Sequence, residues 1–166
     1  VLGLGTKAAE YKGRGRISCR LAMYNSIRSA KPYEAFLRQG HASPVDYVIG
    51  LFDRYDVVVL SERTHSEGSQ WECLYNVVQD PRFAHRVGHI FTEYGQVEMQ
   101  SYLDDFMATD GLDIGDIQAR AIHIMREWPI WPAWPNTNFY TYLLRLYSLN
   151  QSLPIDRRIQ HHLTDR

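Results

Sequence analysis

The sequence predicts an α/β fold, in which a parallel sheet of at least three strands has helices on both faces. Residues 57–60 form a continuous apolar run with three β-branched valines, and a run without polar alternation is typical of a strand buried on both faces. Residues 87–91 form a second, mostly apolar run, with a helical pattern between the two. This strand–helix–strand unit has the length of a crossover between parallel neighbours. A weaker third strand is predicted over residues 159–163.

Hydrophobic spacing and capping residues predict the helices around these strands. Ser43 followed by Pro44 is typical of a helix start, with serine as the N-cap and proline as the first helical residue. Ser69 and Glu72 have the spacing of a capping box. Apolar residues at i, i+3, i+4 and i+7 supply one buried face for most of the helices. The predicted helices cover about residues 32–39, 43–52, 69–79, 96–107, 116–127 and 139–150.

Composition limits the classes of partner. The chain has 166 residues, 45% of them hydrophobic, which is enough for one domain with a buried core. The net charge is −1, so no basic surface is expected to attract nucleic acid or an anionic membrane. No apolar run approaches the ~18 residues that a membrane-spanning helix needs. We therefore expect no nucleic-acid partner and no membrane span, and composition leaves the oligomeric state open.

The two ends of the chain differ from its middle. In residues 1–28, glycines alternate with lysines and arginines. Such residues can form a phosphate-binding loop, but the glycine and lysine spacing of that motif is incomplete here. We expect a mobile N-terminal arm over residues 1–28 and an α/β domain over residues 29–166. The chain stops at Arg166, where the third predicted strand finishes. The domain is therefore expected to be partial and truncated at its C-terminus.

Charged side chains follow the first two predicted strands. Glu62 and His65 come directly after the first strand, and Glu93 follows the second. Because ligands of parallel sheets bind just past the carboxyl ends of the strands, these three side chains are expected around one crevice. The histidine could act as a general base toward water, with a glutamate orienting it. The same groups could instead bind a divalent cation, or a carboxylate could accept a hydrogen bond from a substrate hydroxyl.

A structural role is the alternative for each of these residues. Glu62 and Glu93 could cap helix starts or pair with Arg63 and Arg82. His89 lies within the second strand and is interpreted as a core histidine. His161 and His162 are adjacent on a strand and must point to opposite faces, so at most one of them faces any given site.

Tryptophan and proline both recur every third residue in the segment 128–135. Polyproline II has three residues per turn, so the indoles could line one side of such a segment. The segment is interpreted as a stiff packed linker, with an aromatic wall for a hydrophobic ligand as the alternative.

The sequence Leu-Ser-Glu-Arg-Thr-His at residues 60–65 resembles the Gly-Glu-x-x-His signature of the erythromycin esterase-like family, with Ser61 in place of the usual glycine. Phe-Thr-Glu-Tyr-Gly at residues 91–95 is similar to the second strand of that family. The wider group includes ChaN-type haem-binding lipoproteins and TraB/TIKI-type proteins. For the esterase-like members the resemblance implies hydrolysis by activated water, with His65 as the general base. For the other branches it implies a divalent-metal protease or a haem binder.

Together these observations predict a hydrolase for an ester or related bond of a small, hydrophobic substrate. The expected catalytic residues are His65, Glu62 and Glu93. Trp131, Trp134 and Arg63 are expected to contact the substrate. No residue is assigned as a metal ligand, and the expected cofactor is either none or a divalent metal. The alternatives are a metal-binding or haem-binding module without hydrolysis, and a degenerate fragment that binds a partner.

Overall fold

The computed structural model describes residues 31–61, 64, 67–127 and 137–165. The chain divides into two compact units, Val1–Ala42 and Ser43–Arg166. In the first unit, residues 31–37 are helical, close to the predicted range. Gly40 follows with a φ of 74°, a left-handed conformation that glycine commonly supplies after a helix. The predicted arm over residues 1–28 lies outside the described residues.

The second unit consists of helices around a small sheet. Its helices match the predicted ones closely, with one additional short helix after Asp80. The elements are α1 (Pro44–Leu51), α2 (Gly68–Val78), α3 (Pro81–Arg86), β1 (His89–Gln96), α4 (Gln100–Ala108), α5 (Ile114–Arg126), α6 (Thr137–Ser152) and β2 (Gln160–Asp165), with 3-10 turns at Val97–Met99 and Ile155–Arg157.

Side-chain caps fix where several of these helices begin. The Ser43 hydroxyl accepts from the Asp46 backbone N–H at 3.0 Å, as the sequence predicts. Asp80 accepts from the Arg82 N–H at 2.9 Å and starts α3 at Pro81. The predicted capping box at Ser69 is wrong, because α2 begins at Gly68 and Glu67 is its N-cap. Each cap satisfies a backbone donor that the helix itself leaves unpaired.

The sheet differs from the predicted one in the number of its strands and in the number of faces that helices cover. In the described part of the chain it has two strands, β1 and β2, and not three or more. The strands are parallel, with His89 opposite Gln160 and Thr92 opposite Leu163. Among the described residues, helices pack on one face of this sheet, since β1 alternates between exposed and buried side chains from His89 to Thr92. The prediction of helices on both faces is therefore also wrong.

The first predicted strand is the main error. Residues 57–60 form no strand, and the side chains of Val57 and Val59 are 75% and 82% exposed. An apolar β-branched run has only a preference for strand geometry, and that preference needs a pairing partner and a surface to bury against. In the described residues this run has no pairing partner, and of its side chains only Val58 is partly buried against the core, so the local pattern does not determine the structure.

Two side-chain amides hold β2 in place. The Asn150 side chain on α6 donates to the Ile159 carbonyl at 2.9 Å and accepts from the Ile159 N–H at 2.8 Å. On β2 itself, Gln100 donates to the His161 carbonyl at 2.8 Å and accepts from the Leu163 N–H at 2.7 Å. Gln100 therefore occupies backbone N–H and C=O groups of β2 that would otherwise pair with a further strand. This pairing gives a physical reason why the sheet does not extend beyond β2.

The core lies between the helices and the buried face of the sheet. Gly95 lets β1 approach β2 closely, since its φ is 93° and a Cβ there would lie 2.7 Å from Leu163 Cδ2. Only glycine adopts this conformation without strain. The most buried side chains of the core include Val77, Val78, Leu103, Phe106, Ile124, Phe139, Tyr142, Leu143, Leu146 and Ile159.

Candidate functional site

Most of the residues predicted to form the active site lie outside the described part of the chain. These residues are Glu62, Arg63, His65, Trp131 and Trp134. The structure therefore leaves the predicted convergence of Glu62 and His65 with Glu93 as a prediction.

Glu93 lies within β1 and not beyond its end, because the strand continues to Gln96. Its side chain is exposed, whereas that of the next residue, Tyr94, is buried. The alternative interpretation, in which Arg82 pairs with Glu93, is wrong. Arg82 pairs instead with Asp46 and Asp80, both at 2.7 Å.

The chain just before α2 is anchored at the described residues Thr64 and Glu67. The Gln70 side chain donates to the Thr64 carbonyl at 2.8 Å, and the Glu67 N–H donates to the same carbonyl at 3.0 Å. The Glu67 carboxylate accepts from the Ser69 hydroxyl at 2.9 Å. These bonds fix Thr64 against the first turn of α2. Glu67 thus serves the start of this helix.

An aromatic cluster joins α2, α6 and the buried face of the sheet. The Trp71 ring centroid lies 5.1 Å from that of Tyr94 on β1. On α6, the rings of Phe139 and Tyr142 lie 5.8 and 5.5 Å from Trp71. His161 on β2 completes the cluster, with its ring 5.4 Å from that of Tyr142. Rings at these separations contribute beyond the area that they bury.

Three buried polar atoms of this cluster have no hydrogen-bond partner among the described residues. They are Trp71 Nε1, the Tyr142 hydroxyl and His161 Nδ1. Buried polar atoms are paired in the large majority of cases, and an unpaired one costs about 1–3 kcal/mol. Three such atoms in one cluster are therefore unusual, and they distinguish it from an ordinary apolar core.

The protonation state of His161 follows from its neighbours. His161 Nε2 lies 2.8 Å from Thr92 Oγ1, and that hydroxyl donates to the Tyr94 carbonyl at 3.0 Å. Since the hydroxyl proton is already used, Thr92 Oγ1 accepts from Nε2–H, and Nδ1 carries the free lone pair. Burial, and after it the charge of His162, lowers the pKa of His161 to about 3. His161 is therefore a neutral hydrogen-bond acceptor at Nδ1.

A small cavity of about 60 Å³ lies between α2 and α6. Two of the side chains with unpaired atoms, Trp71 and Tyr142, line it. This volume has room for a few water molecules or one small functional group of a ligand. The other lining residues are Gly68, Glu72, Tyr75, Asn138, Thr141 and Arg145.

Arg145 brings a fixed positive charge to this cavity. Its guanidinium lies 3.6 Å from the centroid of the Tyr75 ring and 2.5 Å from a Glu72 carboxylate oxygen. Both charged side chains are partly exposed, so their pair adds little to stability. Its effect is to hold the guanidinium in place. A cavity lined by this cation and by two aromatic side chains suits a ligand group that accepts hydrogen bonds.

Sequence patterns identified only part of this arrangement. The helical stripe through Trp71 and Tyr75 was predicted as core, but nothing in the stripe marks a polar cavity. The prediction that His161 and His162 face opposite ways is confirmed, because His161 is 1% exposed and His162 is half-buried. Tyr142 and Arg145 carry no local signal, since their role depends on the distant residues of α2 beside them.

Comparisons of the chain with family models, with curated proteins and with solved structures find no match. The resemblance to the erythromycin esterase-like family therefore stays a prediction. No helix among the described residues has both the length and the apolar content needed to cross a membrane. Within the same described residues, no group of three or more histidine, cysteine, aspartate or glutamate side chains could hold a metal ion.

Proposed function

We propose that this domain is a hydrolase that cleaves an ester or related bond of a small molecule. In this proposal His65 takes a proton from the attacking water, and Glu62 and Glu93 are the flanking acids. Trp131, Trp134 and Arg63 contact the substrate. The cavity between α2 and α6 accepts one polar group of that substrate.

The observation that carries the proposal is the anchoring of Thr64 to the first turn of α2. Thr64 directly precedes His65 in the chain, and its carbonyl is bound by Gln70 in the first turn of α2. Gly68 and Trp71, from the same end of α2, line the cavity. The proposed general base thus belongs to a segment that is tied to the helix next to a polar cavity.

Glu93 is the least supported of the three proposed catalytic residues. Its neighbour Tyr94 contacts Trp71, and successive side chains of a strand point to opposite faces. Glu93 therefore lies on the sheet face that is turned away from Trp71. Its contribution has to be measured separately from that of Glu62.

A binding function without hydrolysis is the second candidate, and the unpaired atoms favour it. Trp71 Nε1 and the Tyr142 hydroxyl are buried without a partner among the described residues. A ligand whose acceptor oxygen reached these two atoms through a small movement of the side chains would remove that cost. This candidate uses the same cavity but requires neither His65 nor an activated water.

A kinetic comparison of His65→Ala with the unchanged chain tests the hydrolase proposal. The probes are 4-nitrophenyl acetate, 4-nitrophenyl butyrate and a γ-lactone. Loss of a general base typically costs about 10²–10⁴-fold in rate, so we expect a loss in that range for His65→Ala. The exposed His85 on α3 supplies the control, and His85→Ala should keep full activity. Glu62→Gln and Glu93→Gln measure the two acids separately.

Two results would overturn hydrolysis at His65. One is an active protein in which His65→Ala reacts as fast as the unchanged chain. The other is a folded protein that hydrolyses none of the three probes. In that case, metal analysis and visible absorbance of the purified protein would separate a divalent-metal module, a haem binder and a partner-binding fragment from a small-molecule binder.

A further inference from the structure

The open face of the sheet carries a pair of histidines from two different strands. His89 on β1 was interpreted as a core residue, but its side chain is exposed. His89 Nδ1 lies 3.1 Å from Nε2 of His162 on β2. The rings are nearly parallel, with centroids 5.4 Å apart. Two imidazole nitrogens thus face each other on a surface that solvent reaches.

The backbone and a neighbouring ring fix this spacing. The strands are paired in parallel, with Phe91 opposite His162 in the register. The Phe91 ring stacks on His162, with centroids 4.4 Å apart and an interplanar angle of 16°. Both histidines therefore project from paired strands, and one ring is held by an aromatic contact. A pair placed in this way loses little side-chain freedom when a ligand binds to it.

We propose that His89 and His162 chelate one divalent transition-metal ion of the Zn²⁺, Ni²⁺ and Cu²⁺ class. Two nitrogens bound to one zinc ion at 2.0–2.1 Å are about 3.3 Å apart in tetrahedral geometry and about 2.9 Å apart at a right angle. The 3.1 Å separation of His89 Nδ1 and His162 Nε2 lies between these values. Imidazole nitrogen suits these metals, whereas Mg²⁺ and Ca²⁺ prefer oxygen ligands.

Binding requires a change of tautomer and a small rotation of the rings that aims both lone pairs at the metal. Without metal, one of the two facing nitrogens carries the proton of their mutual hydrogen bond. When that ring moves its proton to its other nitrogen, both facing nitrogens present lone pairs to the metal. Within the described residues no third side chain of a ligating type completes the group, so water fills the remaining positions.

Titration of the full, untagged chain with ZnCl₂ by isothermal calorimetry tests this site. We expect one Zn²⁺ per chain, with NiCl₂ and CuCl₂ also bound and MgCl₂ giving no heat. His89→Ala and His162→Ala should each weaken Zn²⁺ binding by at least about tenfold, because each variant leaves a single imidazole. The double variant should lose much less than the sum of the two single losses, since one lost nitrogen already abolishes the chelate.

His85→Ala is the matched control, because it removes an exposed histidine from α3. Far-UV circular dichroism without metal should be the same for all variants, since none of the altered side chains belongs to the buried core. The proposal is overturned if His89→Ala binds Zn²⁺ as tightly as the unchanged chain. It is also overturned if His85→Ala weakens binding as much as His89→Ala, because the metal would then be held by scattered surface histidines.

Discussion

The two faces of the β1–β2 sheet share one backbone but have opposite environments. One face buries Ile90, Tyr94 and Leu163 against the helices. The other face presents Phe91, which is 69% exposed, together with Glu93. Parallel sheets are usually covered on both faces and have continuous apolar strands. This sheet instead has the alternating pattern of a half-buried sheet. Its two faces therefore carry side chains with different chemical roles.

The adjacent residues His161 and His162 show what that separation does to one residue type. His161 on the buried face is neutral and is bound to Thr92, and burial lowers its pKa to about 3. His162 on the open face contacts Phe91 and His89. One imidazole is part of a core with unpaired polar atoms, and the other is available to a cation. The side of the strand, and not the residue type, determines the role.

The largest expected effect compares neighbouring residues on the two faces. Ile90→Ala removes a side chain that is 6% exposed, and substitutions of this kind in a core cost about 2–5 kcal/mol. Phe91→Ala removes a larger side chain from the open face and should change stability by less than about 0.5 kcal/mol. Urea unfolding measures both free energies. Equal losses for the two variants would mean that the open face is covered in solution.

A second prediction uses the burial of His161 and concerns pH. Unfolding returns the pKa of this histidine from about 3 to its ordinary value of 6.5. Between these values the unfolded chain binds a proton that the folded chain does not, so stability falls as pH falls below about 6.5. The expected slope is about 1.4 kcal/mol per pH unit, which amounts to about 3 kcal/mol at pH 4. Above about pH 7 this contribution is constant.

His161→Gln isolates that slope from the titration of the carboxylates. The variant is compared with the unchanged chain by urea unfolding at pH 7, 6, 5 and 4, each relative to its own stability at pH 7. As pH falls, we expect the free energy of unfolding of His161→Gln to decline less steeply than that of the unchanged chain, by about 1.4 kcal/mol per pH unit. Parallel declines for the two proteins would show that His161 becomes protonated without unfolding, and the buried-face assignment would then fail.

The sequence predicts the elements that carry their own local signals. Ser43 and Pro44 define a helix start through contacts within one turn, and the structure has that start. Helices α4, α5 and α6 follow from apolar spacing, which needs no knowledge of distant residues. The parallel relation of β1 and β2 also follows, because a long helical connection lies between them.

The sequence cannot predict what depends on a partner that is distant in the chain. Residues 57–60 have the pattern of a buried strand, but pairing and burial are properties of the whole fold. Gln100 binds His161, at the edge of β2 and 61 residues away in the chain. No local sequence pattern around this glutamine predicts that contact. The cavity likewise requires Trp71 and Tyr142 to meet across two helices. Its unpaired atoms become visible only when the neighbours of each atom are known.

The smallest expected effect concerns two tyrosines on α6, both nearly fully buried. The Tyr147 hydroxyl donates to the Thr109 carbonyl at 3.0 Å and accepts from the Leu112 N–H at 3.2 Å. Tyr147→Phe leaves the Leu112 N–H unpaired and the Thr109 carbonyl with the Gln151 side chain at 3.4 Å, so it should destabilise the fold by about 1–3 kcal/mol. Tyr142→Phe removes a hydroxyl without a described partner, so it should be neutral or stabilise by up to about 1 kcal/mol. Thermal and urea unfolding of both variants measure the difference. If Tyr142→Phe destabilises the fold as much as Tyr147→Phe, the Tyr142 hydroxyl is paired in solution, and the buried face has no unpaired phenol to offer a ligand.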